Sequence, residues 1–191
     1  MKAEEHYTKT LNILHLMTNP SEQARFWEII SNFFNFYFIQ TKYVEAEKFC
    51  TNLLAKWTKL RNKSATKNLR FPILMLRSHL GICYTFMDSR YQYQAEELLC
   101  GVLNNLQISS KVDEKLVCRS NTTFWLSVFY KKNGKLSKSK ELSAKWLEFY
   151  SQCHEIETPS DWEKVMEDIQ SVKPGPICDI ICAFDRFNFN Y

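Results

Sequence analysis

The chain has 191 residues, 45% apolar and 15% aromatic, with a net charge of +4. That is enough apolar material for one domain or one compact array of repeats, and the charge is too mild to demand an acidic partner. Four glycines and five prolines are too few for a β-sandwich or barrel, which needs turn residues every few positions, so the composition points to an all-α chain.

The first predicted element runs from Ala3 to Met17, a short amphipathic helix with Tyr7, Leu11 and Leu14 on one face. Asn19-Pro20-Ser21-Glu22 then offers an N-cap, a proline at the first helical position and an acid shortly after it. The helix that follows carries Phe26, Trp27, Ile30, Phe33, Phe34, Tyr37 and Phe38, apolar over more than half its circumference, and is expected to pack on two sides. Gln40-Thr41-Lys42 breaks it, and a partner helix runs from Tyr43 to about Leu60. The polar, basic stretch from Arg61 to Asn68 reads as a connecting loop.

Pro72 opens the next helix, whose stripe holds Leu76, Leu80, Cys83, Tyr84 and Met87. Asp88-Ser89-Arg90 interrupts it, and Tyr91 to about Leu106 returns. Ser110-Lys111-Val112-Asp113 caps a third long helix through Leu116, Phe124, Trp125, Val128 and Phe129, which Asn133-Gly134 ends. Leu136 to about Tyr150 is its partner. Thr158-Pro159-Ser160-Asp161 starts a short helix through Trp162, Val165, Met166 and Ile169, and Pro174-Gly175-Pro176 separates an aromatic tail.

The three partner helices echo one another. Ala46, Phe49, Cys50 and Leu53 recur in type as Ala95, Leu98, Leu99 and Val102, and again as Ser139, Leu142, Ser143 and Trp146. A small residue followed by larger ones at +3, +4 and +7 marks one helix face. The chain therefore reads as one helical hairpin written three times. The expected organisation is a helical-repeat domain over 1–173, with hairpins at about 20–60, 71–107 and 111–150 and a capping helix at 159–171, then a tail over 174–191.

This pattern resembles the tetratricopeptide repeat. Gly81 with Tyr84 matches the small residue and aromatic of the first helix, Tyr43 with Ala46 matches the start of the second, and Tyr130 with Gly134 matches the aromatic and the turn glycine. The departures are Phe34 in place of a glycine, about two extra residues between Gly81 and Ala95, and repeat spacings of 49 and 44 positions against about 34. The resemblance covers roughly residues 20–150 and extends in style to the helical arms of separase and of the cohesin loader. It implies a short right-handed superhelix of stacked antiparallel hairpins, an α-solenoid, that binds other proteins.

Candidate chemistry is sparse. No phosphate loop, dinucleotide fingerprint, HExxH pair or calcium loop occurs. Cys83 and His79 lie one helical turn apart but share the apolar stripe, which favours a core role over a polarised thiolate. Cys178, Cys182, Cys153 and His154 supply soft metal ligands, yet the spacing lacks the usual zinc knuckle and buried structural cysteines are the preferred account. The adjacent acids Glu96 and Glu97 look like solvated charge. No enzyme, metal or cofactor is expected.

Charge distribution is more informative. From Lys48 through Met87 there is no acid, and Lys56, Lys59, Arg61, Lys63 and Arg70 gather around one connection. A second group holds Lys131, Lys132, Lys135, Lys138 and Lys140, whereas residues 155–168 are acidic. If both groups share one edge they form a basic stripe for an acidic protein or, with Trp57 stacking a base, for nucleic acid; the bland account is a solvated face. Phe187, Phe189 and Tyr191 of the tail are candidate apolar anchors, the alternative being that the tail caps the last hairpin. The expected function is a protein–protein scaffold or complex subunit that uses the basic edge and the aromatic tail, with nucleic-acid binding as the alternative and no membrane or small-molecule partner. The odd count of seven cysteines, several inside apolar stripes, and an opening with no signal-peptide core fit an intracellular, cytoplasmic or nuclear location.

Overall fold

The computed structural model describes residues 20–63, 70–106 and 114–154. Among them the chain is all-helical: α1 Pro20–Ile39, α2 Tyr43–Lys63, α3 Arg70–Phe86, α4 Gln92–Asn105, α5 Glu114–Lys132 and α6 Leu136–His154, with a 3₁₀ turn at Ser89–Tyr91. The expected helix before residue 18, the cap at Ser110 and everything after residue 154 lie outside the described residues.

Consecutive helices fold back on one another as hairpins. In the first, Phe33 meets Phe49 at 4.6 Å and Phe38 meets Tyr43 at 5.4 Å, so the two helices run in opposite directions. In the second, Tyr84 stacks on Tyr91 while Gly81 faces Leu98 and Leu99. In the third, Tyr130 lies under Lys138 while Phe124 meets Trp146. The first helices of the hairpins run parallel: Phe34 of α1 stacks on His79 of α3 and Phe38 meets Phe86 edge-on, then Ser78 of α3 bonds Thr122 of α5 while Thr85 receives Lys132. All three hairpin turns therefore emerge at one end of the helices.

The first and third turns share one hydrogen-bond pattern. Lys42 N–H donates to the Tyr37 carbonyl and Thr41 N–H to that of Phe38; Lys135 donates to Tyr130 and Gly134 to Lys131. These are paired Schellman closures, with Thr41 at φ 57° and Gly134 at φ 72° in the left-handed region. Glycine takes that conformation freely, but a β-branched threonine does not. Thr41→Gly should raise the denaturation midpoint by about 1 kcal/mol of stability, and Gly134→Ala should lower it by a similar amount. The second turn absorbs its two extra residues as the 3₁₀ turn, where Asp88 accepts from Arg90 N–H and pairs with the Arg90 guanidinium.

Gly81 lets α3 approach α4. A Cβ there would lie 2.9 Å from Leu99 Cγ and 3.3 Å from Leu98 Cβ, whereas one on Gly101 would meet nothing within 4 Å. The same substitution should thus have opposite signs. Gly81→Ala should cost about 1–2 kcal/mol through crowding, and Gly101→Ala should add about 0.5–1 kcal/mol of helix propensity. Urea titrations of the two variants side by side check both signs.

The core is aromatic. Phe38 of α1, Phe86 of α3 and Trp125 of α5 lie within 5.7 Å of one another, centroid to centroid, so the first and third hairpins touch directly. In consequence α5 is buried on all sides, continuously from Thr122 to Tyr130. Three of its buried hydroxyls are satisfied inside the helix: Thr122 donates to the Cys118 carbonyl at 2.6 Å, Thr123 to Arg119 at 2.8 Å and Ser127 to Phe124 at 2.7 Å, whereas Ser120 Oγ has no hydrogen-bond partner among the described residues. Because Thr122 has spent its proton on that carbonyl, Ser78 is the donor in the 2.9 Å Ser78–Thr122 pair. Small hydroxylated residues bonded this way pack like apolar ones. Trp57 is also in this core, which removes it as a surface ring for stacking a base.

Candidate functional site

Four large apolar side chains stand exposed among the described residues: Ile39 (47%), Val44 (48%), Tyr93 (76%) and Leu136 (58%). Ile39 ends α1, Val44 and Tyr93 are the second residues of α2 and α4, and Leu136 opens α6. Every one flanks a hairpin turn, so parallel packing of the first helices brings all four to one edge.

Charged and aromatic groups knit that edge together. Lys132 donates to the Thr85 carbonyl at 2.9 Å and lies 4.8 Å from the Phe86 ring, which also stacks on Tyr43. A cation on the last carbonyls of α3 complements the negative end of that helix, and burial pulls the Lys132 ammonium below its ordinary range. One hairpin along, Tyr130 donates to Glu96 at 2.8 Å and Lys135 bonds the other Glu96 oxygen at 2.9 Å. Lys135, then Tyr130, hold the Glu96 carboxyl below its usual range against the opposing effect of burial, and burial followed by the Glu96 bond pushes the Tyr130 phenol up. Glu96 is therefore a bonded cross-hairpin acceptor, which corrects the expectation that it is solvated.

The echo in the sequence has a structural meaning here. Ala46 and Ala95 are fully buried, and the glutamate after each, Glu47 and Glu96, accepts from a tyrosine of the next hairpin, Tyr84 at 3.5 Å and Tyr130 at 2.8 Å. The third copy, Ser139-Lys140, buries its serine but follows it with an exposed cation. Nothing in the sequence alone pairs a glutamate with a tyrosine more than thirty positions away; the Ala-Glu repetition was the available signal.

The two lysine groups do not form one stripe. Lys131, Lys132, Lys135, Lys138 and Lys140 surround the third turn. Lys56, half-buried, and Lys59, exposed, lie in the last two turns of α2, Arg61 and Lys63 close that helix, and Arg70 opens α3, all toward the opposite end. Phe187, Phe189 and Tyr191 lie outside the described residues, as do the side chains of Cys153 and His154 and both Cys178 and Cys182.

The Cys83–His79 pair is core. His79 is buried against Phe34 at 4.3 Å between centroids, and burial lowers its pKa to about 4. Cys83 is buried too, and burial first, then the neighbouring Cys50 and Glu47, raises its thiol pKa, the reverse of what a thiolate nucleophile needs. Cys50, Cys83, Cys100 and Cys118 are free thiols. Among the described residues no cluster of three or more potential ligands could hold a metal, and no helix is long and apolar enough to cross a membrane. No protein-family model matches the chain, and neither the curated proteins nor the solved structures give a match.

Proposed function

We propose that the chain is a non-enzymatic protein-interaction module, a divergent tetratricopeptide-like array serving as scaffold or subunit in a larger complex. The observation that carries this is the edge along which the exposed Ile39, Val44, Tyr93 and Leu136 are distributed. Large apolar side chains gathered on one rim, among polar and charged groups, have the make-up of a protein contact surface. With Phe38 and Trp125 in contact across the hairpins, the rim rather than a groove between the first helices is the accessible binding surface. The basic end formed by Lys56, Lys59, Arg61, Lys63 and Arg70 and the tail residues Phe187, Phe189 and Tyr191 are proposed as further contacts.

A photo-crosslinking side chain at Val44, Tyr93 or Leu136 tests the edge, with Asn104, exposed near the far end of α4, as control. The three edge positions should capture the same protein from extracts of the source cells, and Asn104 should not. Capture at Asn104 alone, or at none of the four, would refute the proposal. The nucleic-acid alternative predicts binding that weakens steeply with salt and is relieved by Lys59→Glu; with Trp57 in the core it has lost its stacking ring.

A further inference from the structure

We infer that the partner at the hairpin-turn edge is an acidic protein segment carrying apolar side chains, received by Leu136 and the lysines around it; this rests on that edge being the interaction site. Between Lys131 and Lys140 the chain places five lysines and no acid, with Leu136 exposed in their midst. Two of the five are engaged internally, Lys132 with the Thr85 carbonyl and Lys135 with Glu96. Lys138 sits 5.1 Å from the Tyr130 ring, and both it and Lys140 are exposed with no ion pair among the described residues. Lys138 shares its charge with Glu96 and Glu141, and the exposed ammonium groups beside an exposed leucine suit carboxylates alternating with apolar side chains.

The internal repeat points the same way by independent means. After the buried small residue, the first two hairpins present Glu47 and Glu96, each of which takes a tyrosine hydroxyl from the next hairpin. The third presents Lys140 at that position. Whatever meets the third hairpin there finds a donor and a positive charge where the earlier copies offer an acceptor and a negative one. The complementary group is a carboxylate.

A nucleic acid fits this edge less well. Carboxylates at Glu45, Asp88 and Glu97, all exposed, break the run of cations that a phosphate backbone would follow. Of the four exposed apolar side chains, Ile39, Val44 and Leu136 are aliphatic, and Tyr93 alone offers a ring face, short of the succession of rings on which consecutive bases stack.

The experiment uses the purified full chain and three fluorescent probes of equal length, read by anisotropy. One is a peptide of glutamates with leucine and phenylalanine at helical spacing, one has serine in the apolar places, and one is single-stranded DNA. The apolar-acidic peptide should bind, and should lose about tenfold in affinity between low and physiological salt. Removing its apolar residues, or introducing Leu136→Ser or Lys138→Glu with Lys140→Glu, should each weaken binding by about tenfold. Lys140→Glu alone, at an exposed site, should weaken it several-fold with the circular dichroism unchanged. Equal binding of the two peptides, indifference to all the variants, or tighter binding of DNA would overturn the inference. A neutral or basic protein crosslinked at Leu136 would overturn the acidic partner and leave the interaction edge standing, whereas no specific crosslink at any edge position removes the edge itself.

Discussion

Trp125→Ala should cost about 3–5 kcal/mol, a large share of the ~5–15 kcal/mol that holds a domain together. The indole is fully buried and meets Phe38 at 5.5 Å, Phe86 at 5.7 Å and Phe124 at 5.1 Å. These rings come from α1, α3 and α5, so the cavity opens where all three hairpins converge. An array bound only neighbour to neighbour would lose one interface and melt in pieces. Here the whole transition should move to lower urea while remaining a single step, with near-ultraviolet circular dichroism and helix signal coincident. Phe38→Ala should cost about 3–4 kcal/mol, and the double variant should cost less than the sum because both side chains line one cavity. A loss under about 1 kcal/mol for Trp125→Ala would show that the rings do not join the hairpins.

The second large effect is acid sensitivity at His79. Burial lowers its pKa in the folded chain to about 4 from an ordinary value of 6.5. Between those values the unfolded chain binds the proton and the folded chain does not, so stability rises with pH across that window. The contribution is complete above about pH 6.5 and falls away as the pH drops toward 4, by about 3 kcal/mol in total for a shift of that size. Its Nδ1 has no hydrogen-bond partner among the described residues, and its ring lies nearly parallel to Phe34 at 4.3 Å. His79→Phe therefore keeps the stack and removes the titration. Comparing urea midpoints of the two proteins from pH 7.5 to 4.5, the wild type should lose stability faster, and parallel curves would sink the prediction.

Much of the helical layout was legible because it rests on local chemistry. Asn133-Gly134 ends α5 through a left-handed glycine, Asp88 anchors the middle turn, and the stripes led by Ala46, Ala95 and Ser139 form the partner helices. α2 runs on to Lys63 past the expected end at Leu60. Arg61 and Lys63 read as loop by polarity, yet cations are favoured in the last turn of a helix. The enclosure of α5 was not legible, because the burial of hydroxylated Ser120, Thr122, Thr123 and Ser127 depends on the helices packed around them. At the edge, the lysines and the Ala-Glu repetition were visible, but their pairing with Tyr84 and Tyr130 is a long-range fact. Trp57 departs from its sequence reading for the matching reason: a tryptophan among lysines looks exposed, yet its helix turns that side inward.

The parallel course of the first helices has one more consequence. It sets the lysine-ringed third turn and the Lys56–Arg70 group at opposite poles, apart by about the 25 Å length of a helix such as α3, at 1.5 Å rise per residue over its 17 residues. That exceeds the distance over which exposed charges feel one another in physiological salt, about 8 Å. Short ligands at the two poles would therefore occupy them without competition, and a single chain reaching both would gain by avidity in proportion to how well its linker matches that span.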